Sequence, residues 1–171
     1  MKKLYLGCDE DYKKGHVNID KNKNIKADIY LDLEGSLPFG DNSVDEIIAN
    51  HVIEHIHNFI PLMDELNRVC KEGATIKFKT PFYSSWGQFN DPTHIRFFTP
   101  FSFNTYFDYW KKKKVKLNFG RGKSSKLNWL FNPVINLNHR VYCRFFAFIF
   151  PATEIEFEFE VLNKNTKNLK R

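Results

Sequence analysis

The chain has 171 residues and a formal net charge of +6, a length that suits one domain with a real core and leaves little room for two. The positive excess is mild and much of it sits in Lys111 to Lys126 and in Lys164 to Arg171, which reads as solvated surface and a frayed terminus, with a patch for anionic substrate, nucleic acid or lipid headgroups as the alternative; a nucleic-acid partner is not the expected one. No apolar run approaches a membrane span or a leader core, and Cys8, Cys70 and Cys143 show no metal or disulfide spacing, so a cytoplasmic, reducing setting is expected.

In chain order, Lys3 to Leu6 reads as a short buried strand ending at Gly7, and His16 to Asp20 as a second that ends in an acid. Ala27 to Leu31 is a third, closed by Asp32, and Val44 to Ala49 a fourth after the turn-rich stretch Gly35 to Ser43. Phe59 to Cys70 has its apolar residues at helical spacing, with Asn58 placed to cap it, Pro61 in its first turn and Gly73 to end it. Thr75 to Lys79 is a fifth strand.

A helix is expected over Thr99 to Tyr109, a strand over Val115 to Phe119 and an aromatic helix over Val134 to Phe148. Glu154 to Leu162 alternates strictly, with Ile155, Phe157, Phe159 and Val161 against four glutamates, and reads as an antiparallel edge strand with one wet face. One domain over 1–163 and a basic flexible tail over 164–171 are expected. The chain has 18 Phe, and Val141 to Phe150, beside Arg140 and Arg144, reads as core packing, with a peripheral membrane contact as the alternative.

Strands alternating with connecting segments predict an α/β domain whose ligand sits at the strand carboxyl ends. Those ends carry Gly7, Asp20, Asp32, and Asn50 with His51. A carboxylate there, Asp20, suits ribose hydroxyls, because it accepts both O–H bonds. Asp32 and Leu33 suit an adenine, one as acceptor for the amino group and one as flat apolar cover.

The runs LYLGC, GHVNID, ADIYLDLEGSLPFGDNSVDEIIANHVIEHI, LMDELNRVCKEGATIKFKTP and NDPTHIRFFTPFSF together resemble class I S-adenosylmethionine-dependent methyltransferases, in particular small bacterial ones associated with sugar and cell-surface biosynthesis. The resemblance implies a Rossmann-like sheet of order 3-2-1-4-5-7-6 with strand 7 antiparallel. It implies S-adenosylmethionine as cofactor, with Gly7 and Cys8 near its methionine part, Asp20 at the ribose, Asp32 and Leu33 at the adenine and His51 on the floor. The sequence departs from that pattern at the first loop, GCDED, which keeps a single glycine, and in a first crossover too short for more than one helical turn. Asp9, Glu10 and Asp11 there can attract the cofactor's positive charges.

For the chemistry, His94 is the candidate general base and Asp91 its orienting partner, in the stretch DPTH. Trp86 is the candidate acceptor wall and Arg96 the candidate anion partner. The expected function is methyl transfer to a small-molecule, sugar or cell-surface precursor acceptor, with no metal assigned. Two alternatives stand beside it. The degenerate first loop allows a non-catalytic binding module on the same fold. His51, Glu54 and His55 form H-x-x-E-H, which on a helix is a zinc-hydrolase pattern.

Overall fold

Residues that alternate between apolar and charged become strands, and their parity decides which sheet face each side chain covers. The structure, a computed structural model, describes residues 1–105, 107–120 and 122–162, so the expected tail at 164–171 lies outside the described residues. The strands are β1 (Lys3–Leu6), β2 (Val17–Asp20), β3 (Ile29–Tyr30), β4 (Val44–Asn50), β5 (Cys70–Pro81), β6 (Trp110–Asn118) and β7 (Glu154–Val161). They form one sheet of order β3-β2-β1-β4-β5-β7-β6, as expected. β1 to β5 pair in parallel, and β7 runs antiparallel between β5 and β6.

One face of this sheet is apolar. Leu4, Leu6, Ile47, Ala49, Ile76, Phe78, Phe157 and Phe159 are buried on it. Helix α1 (Phe59–Val69) covers it with Leu62, Met63, Leu66 and Val69. Phe103 fills the space beyond, with ring centroids 4.9 to 5.6 Å from Phe157, Phe159, Phe107 and Phe78. The opposite parity is polar. Lys3 pairs with Glu46 and Lys77 with Glu158 in register. Glu46 bonds Lys3 and Lys77 at 2.8 Å each. Burial alone would raise its carboxyl, but the two ammonium groups push it down to about 2.

The first crossover explains part of that one-sidedness. Only the ten residues Gly7 to His16 join β1 to β2, and they hold turns and no helix. Side-chain bonds fix the loop instead. The buried Asn18 accepts from Lys13 N–H and donates to the Lys13 and His16 carbonyls and to Asp28. The short loop was expected; the Asn18 anchor was not.

Several expectations need correction. β7 is not the edge strand. Its glutamates face lysines on both sides, as Lys79–Glu154 at 2.8 Å and Lys113–Glu160 at 2.7 Å, and the lysine-rich β6 is the edge, a charge pattern that also discourages edge pairing. Asn58 makes no side-chain cap at α1; the Glu34 carboxylate accepts the His57 and Asn58 N–H groups instead. α1 ends at Val69 and the chain passes directly into β5, where Gly73 adopts φ +77.

The described residues of 99–109 form turns, not a helix. Thr99 and Ser102 hydroxyls capture local N–H groups, and Ser102 and Asn104 bond back three residues. This lets Phe98, Phe103 and Phe107 all enter the aromatic core.

The aromatic helix expected over 134–148 is broken. α2 (Trp86–Asn90) precedes it, α3 (Asn128–Ile135) ends early, and α4 (His139–Val141) continues as a π-turn over Tyr142–Phe146. The break falls where Asn136 turns its side chain to the backbone of Leu117 on β6. Only part of Val141 to Phe150 is core: Tyr142 and Ala147 are buried in it, whereas Phe145, Phe146, Phe148, Ile149 and Phe150 are exposed. Among the described residues no helix is long and apolar enough to cross a membrane.

Candidate functional site

The carboxyl ends of β1, β4 and β5 and the first residues of β7 open onto one cleft of about 900 Å3. Its first wall follows β1 and is formed by Tyr5, Gly7, Cys8, Asp9 and Asp11. Gly7 has φ +60, and a Cβ there would lie 2.3 Å from Val52 Cγ2, so only glycine fits. Tyr5 donates to Asp11 at 2.8 Å and accepts from Asn50 at 3.2 Å. Burial first, and then Asp11, pushes the Tyr5 hydroxyl up to about 12, so it stays protonated. Burial, followed by Asp20, also raises the Cys8 thiol, which makes it a poor nucleophile.

The floor is built around His51. It sits at φ +55, with its N–H donated to the Lys79 carbonyl at 2.7 Å. Its ring lies between two buried carboxylates, Nδ1 3.3 Å from Glu54 and Nε2 3.0 Å from Glu154. Burial opposes its charge, yet the two carboxylates outweigh that and raise its pKa above the usual imidazole value. Burial would raise the Glu154 carboxyl, but His51 and Lys79 hold it below its usual range.

The far wall carries His55, Trp86, Asp91 and His94. Trp86, at the start of α2, is 74% exposed and leaves a flat apolar surface open to solvent. The His94 ring lies 4.7 Å from that of His55 and its Nε2 3.9 Å from Asp91. Asp91 accepts from both the hydroxyl and the N–H of Thr93, and these bonds lower its pKa.

The cleft thus gathers Gly7, Cys8, His51, Trp86, Asp91 and His94 from the residues singled out in the sequence. Asp20, Asp32 and Leu33 lie at the expected strand ends but are not among its lining residues. Asp20 accepts the N–H groups of Asp9 and Asn22, Asp32 that of Glu34, and Leu33 is buried in the core. The carboxylate oxygens keep spare lone pairs for a ligand at that shelf. Arg96 is also absent from the lining. Its guanidinium donates through Nε and Nη2 to the Ile56 and His57 carbonyls and lies over the Phe59 ring, so two of its donors and its flat face serve the fold.

Tyr5, Lys79 and Glu154 were missed, whereas Asp11 and Asn50 were expected at this end of the sheet. Tyr5, Lys79 and Glu154 share a signal with Asn50: they are the polar-parity residues where their strands meet the cleft. The H-x-x-E-H pattern does not form a helical pair. His51 is left-handed and outside any helix, and Glu54 and His55 belong to a three-residue 3-10 segment, Ile53–His55.

Residues 8–78 match a family model described as a methyltransferase domain. Over that stretch the chain is similar to a methyltransferase domain. No curated protein matches it. The methyltransferase fold is shared with a SAM-dependent methyltransferase from Archaeoglobus fulgidus, 16% identical at a TM-score of 0.64 over 93% of this chain and 85% of that one. It is shared with an S-adenosylmethionine-dependent methyltransferase from Mesorhizobium loti, 10% identical at 0.62 over 93% and 90%. The [4+2]-cyclase SpnF, 12% identical at 0.61 over 94% and 74%, has the fold as well, so architecture alone does not fix the chemistry.

Proposed function

We propose that the protein transfers a methyl group from S-adenosylmethionine to a small-molecule, sugar or cell-surface precursor acceptor in the cytoplasm. One observation carries the reading: a single cleft joins the acidic strand-end wall of Gly7, Asp9 and Asp11 to an imidazole and aromatic wall of His94 and Trp86. The residues fit the cofactor. Gly7 leaves room for close backbone approach, Asp9 and Asp11 offer charge to an ammonium and a sulfonium, and the volume suits a ligand of this size. Asp20 would take the ribose hydroxyls, Asp32 and Leu33 the adenine.

Bound, S-adenosylmethionine supplies an activated methyl group on a sulfonium. The chain's own work is then alignment and exclusion of water. His51, clamped by Glu54 and Glu154, holds the floor rigid. The Nδ1 of His94 lies 3.0 Å from the Gln88 carbonyl, to which it donates, so Nε2 keeps a lone pair. That nitrogen takes the proton of an acceptor hydroxyl, and Asp91 steadies the resulting imidazolium. Trp86 covers the acceptor.

Calorimetric titration with S-adenosylhomocysteine tests the reading, beside Asp20→Ala and Asp11→Asn. Micromolar binding weakened in both variants supports it. No binding by the unaltered chain favours the non-catalytic module.

A further inference from the structure

We propose that Glu54, His55 and His94 form a site for a divalent transition-metal ion of the zinc class on the acceptor side of the cleft. One ring nitrogen of each imidazole and one carboxylate oxygen of Glu54 lie within 4.8 Å of one another. The carboxylate is fully buried, and neither oxygen has a hydrogen-bond partner among the described residues; its nearest cation is His51, 3.3 Å from Oε1. His51 is thus its ion-pair partner, and the lone pairs left without hydrogen bonds can take a second cation.

The hydrogen bonds around the imidazoles set their tautomers. Thr93 Oγ1 donates to Asp91 at 2.6 Å, so at 2.9 Å it accepts from His55 Nδ1. His94 Nδ1 donates to the Gln88 carbonyl. Both Nε2 atoms therefore carry free lone pairs, and each ring has the outer partner that orients metal-bound histidines. The Ile95 and Arg96 N–H groups both donate to the Glu54 carbonyl, which ties the two ligand-bearing segments together before any ion arrives.

Two imidazoles and one carboxylate select zinc and its neighbours, whereas magnesium and calcium prefer oxygen donors throughout. His55 and His94 both line the cleft, so an ion held between them would be open to an acceptor oxygen. Occupied, the site takes the His94 Nε2 lone pair as a ligand in place of its role as base, and narrows the acceptor to oxygen-bearing groups. Only this use rests on the methyl-transfer reading; the ion site itself does not.

The test is titration of chelator-treated full-length protein with Zn2+ by calorimetry and with Co2+ by visible absorption. Variants are His55→Gln, His94→Gln and Glu54→Gln, with the exposed His57→Gln as control. One equivalent should bind, at least about tenfold more weakly in His55→Gln and His94→Gln, and unchanged in His57→Gln. No binding by the unaltered protein, or binding that both ligand variants retain, overturns the proposal. S-adenosylhomocysteine titration of the metal-free sample separates the two readings. Cofactor binding without zinc binding sinks only the ion site, and zinc binding without cofactor binding sinks only the methyl-transfer reading.

An independent observation carries a second inference. Residues 109–153 contain no aspartate or glutamate. Within them Trp129, Val134, Leu137, Phe145, Phe148 and Ile149 are 60 to 87% exposed. Arg140 and Arg144 flank these side chains, Arg144 lying over the Phe145 ring at 5.5 Å. We infer that this segment docks on an anionic lipid surface, since exposed apolar side chains in a stretch whose charged residues are all basic suit lipid headgroups, while a second copy would set like charges together. Flotation with phosphatidylglycerol vesicles should carry the protein, phosphatidylcholine vesicles should not, and Trp129→Ser with Phe148→Ser should abolish it. No flotation, or a dimer in gel filtration that the double variant makes monomeric, overturns the inference.

Discussion

His51 and Glu154 are 103 positions apart in sequence and 3.0 Å apart in space. Their contact fastens the end of β4 to the start of β7 across the cleft floor, with Lys79 on the other carboxylate oxygen at 2.8 Å. The pKa of His51 is raised in the fold. Its contribution to stability is therefore complete below the unfolded value near 6.5 and is lost as pH rises through the higher folded value. His51→Asn, chosen because asparagine tolerates positive φ, should cost about 1.5–3 kcal/mol at pH 6. Urea unfolding across pH 5.5 to 9 should show that gap shrinking toward the alkaline end; a constant gap would mean that the imidazole is not charged.

Gly7→Ala should destabilise by about 2–4 kcal/mol, because the new methyl meets Val52 at 2.3 Å and the backbone is left-handed. Adding Val52→Ala should return the steric part only. Equal stability of the single and double variants in chemical denaturation would show that the clash relaxes freely.

Phe103→Ala should cost about 3–5 kcal/mol. Phe103 is 4% exposed and sits among six rings, stacked on Phe78 and Phe98. Phe101, two residues earlier and 37% exposed, makes the matching control, and Phe101→Ala should stay within about 1 kcal/mol. Comparable losses for both would argue against the turn arrangement of this segment.

Arg96→Lys should lower stability by about 1.5–3 kcal/mol and leave cofactor affinity unchanged. A lysine cannot reach two carbonyls and stack on Phe59 at once. Thermal unfolding reads this structural role, and S-adenosylhomocysteine titration checks that the loss does not act through the cofactor site.

The sheet was legible because its strands announce themselves twice, by alternation and by the residue that stops each one. Glu154 to Val161 shows this best, and the strand order followed from the resemblance. Its place inside the sheet was obscured because a glutamate row reads as wet, whereas here lysines of β5 and β6 flank it. Gly7, His51 and His94 were recognised from local pattern. Tyr5, Lys79 and Glu154 were not, since a tyrosine or lysine in a strand carries no mark of where that strand ends. Asp20 and Arg96 have the right chemistry for a ligand, and each also bonds to the backbone beside it, which their sequence positions did not reveal. The stretch Thr99 to Tyr109 has helical spacing, yet its serine, threonine and asparagine side chains compete for the same N–H groups.

The polar parity face of the sheet has a thermodynamic consequence. Parallel sheets are ordinarily sealed on both sides, but here unfolding strips apolar cover from only one. The heat-capacity increment should fall below the usual ~12–15 cal/mol/K per residue, and the urea m-value below that of a two-sided α/β domain of equal length. Its stability curve should then be broad and shallow, the cold limb receding further from the working range than the length of the chain would imply.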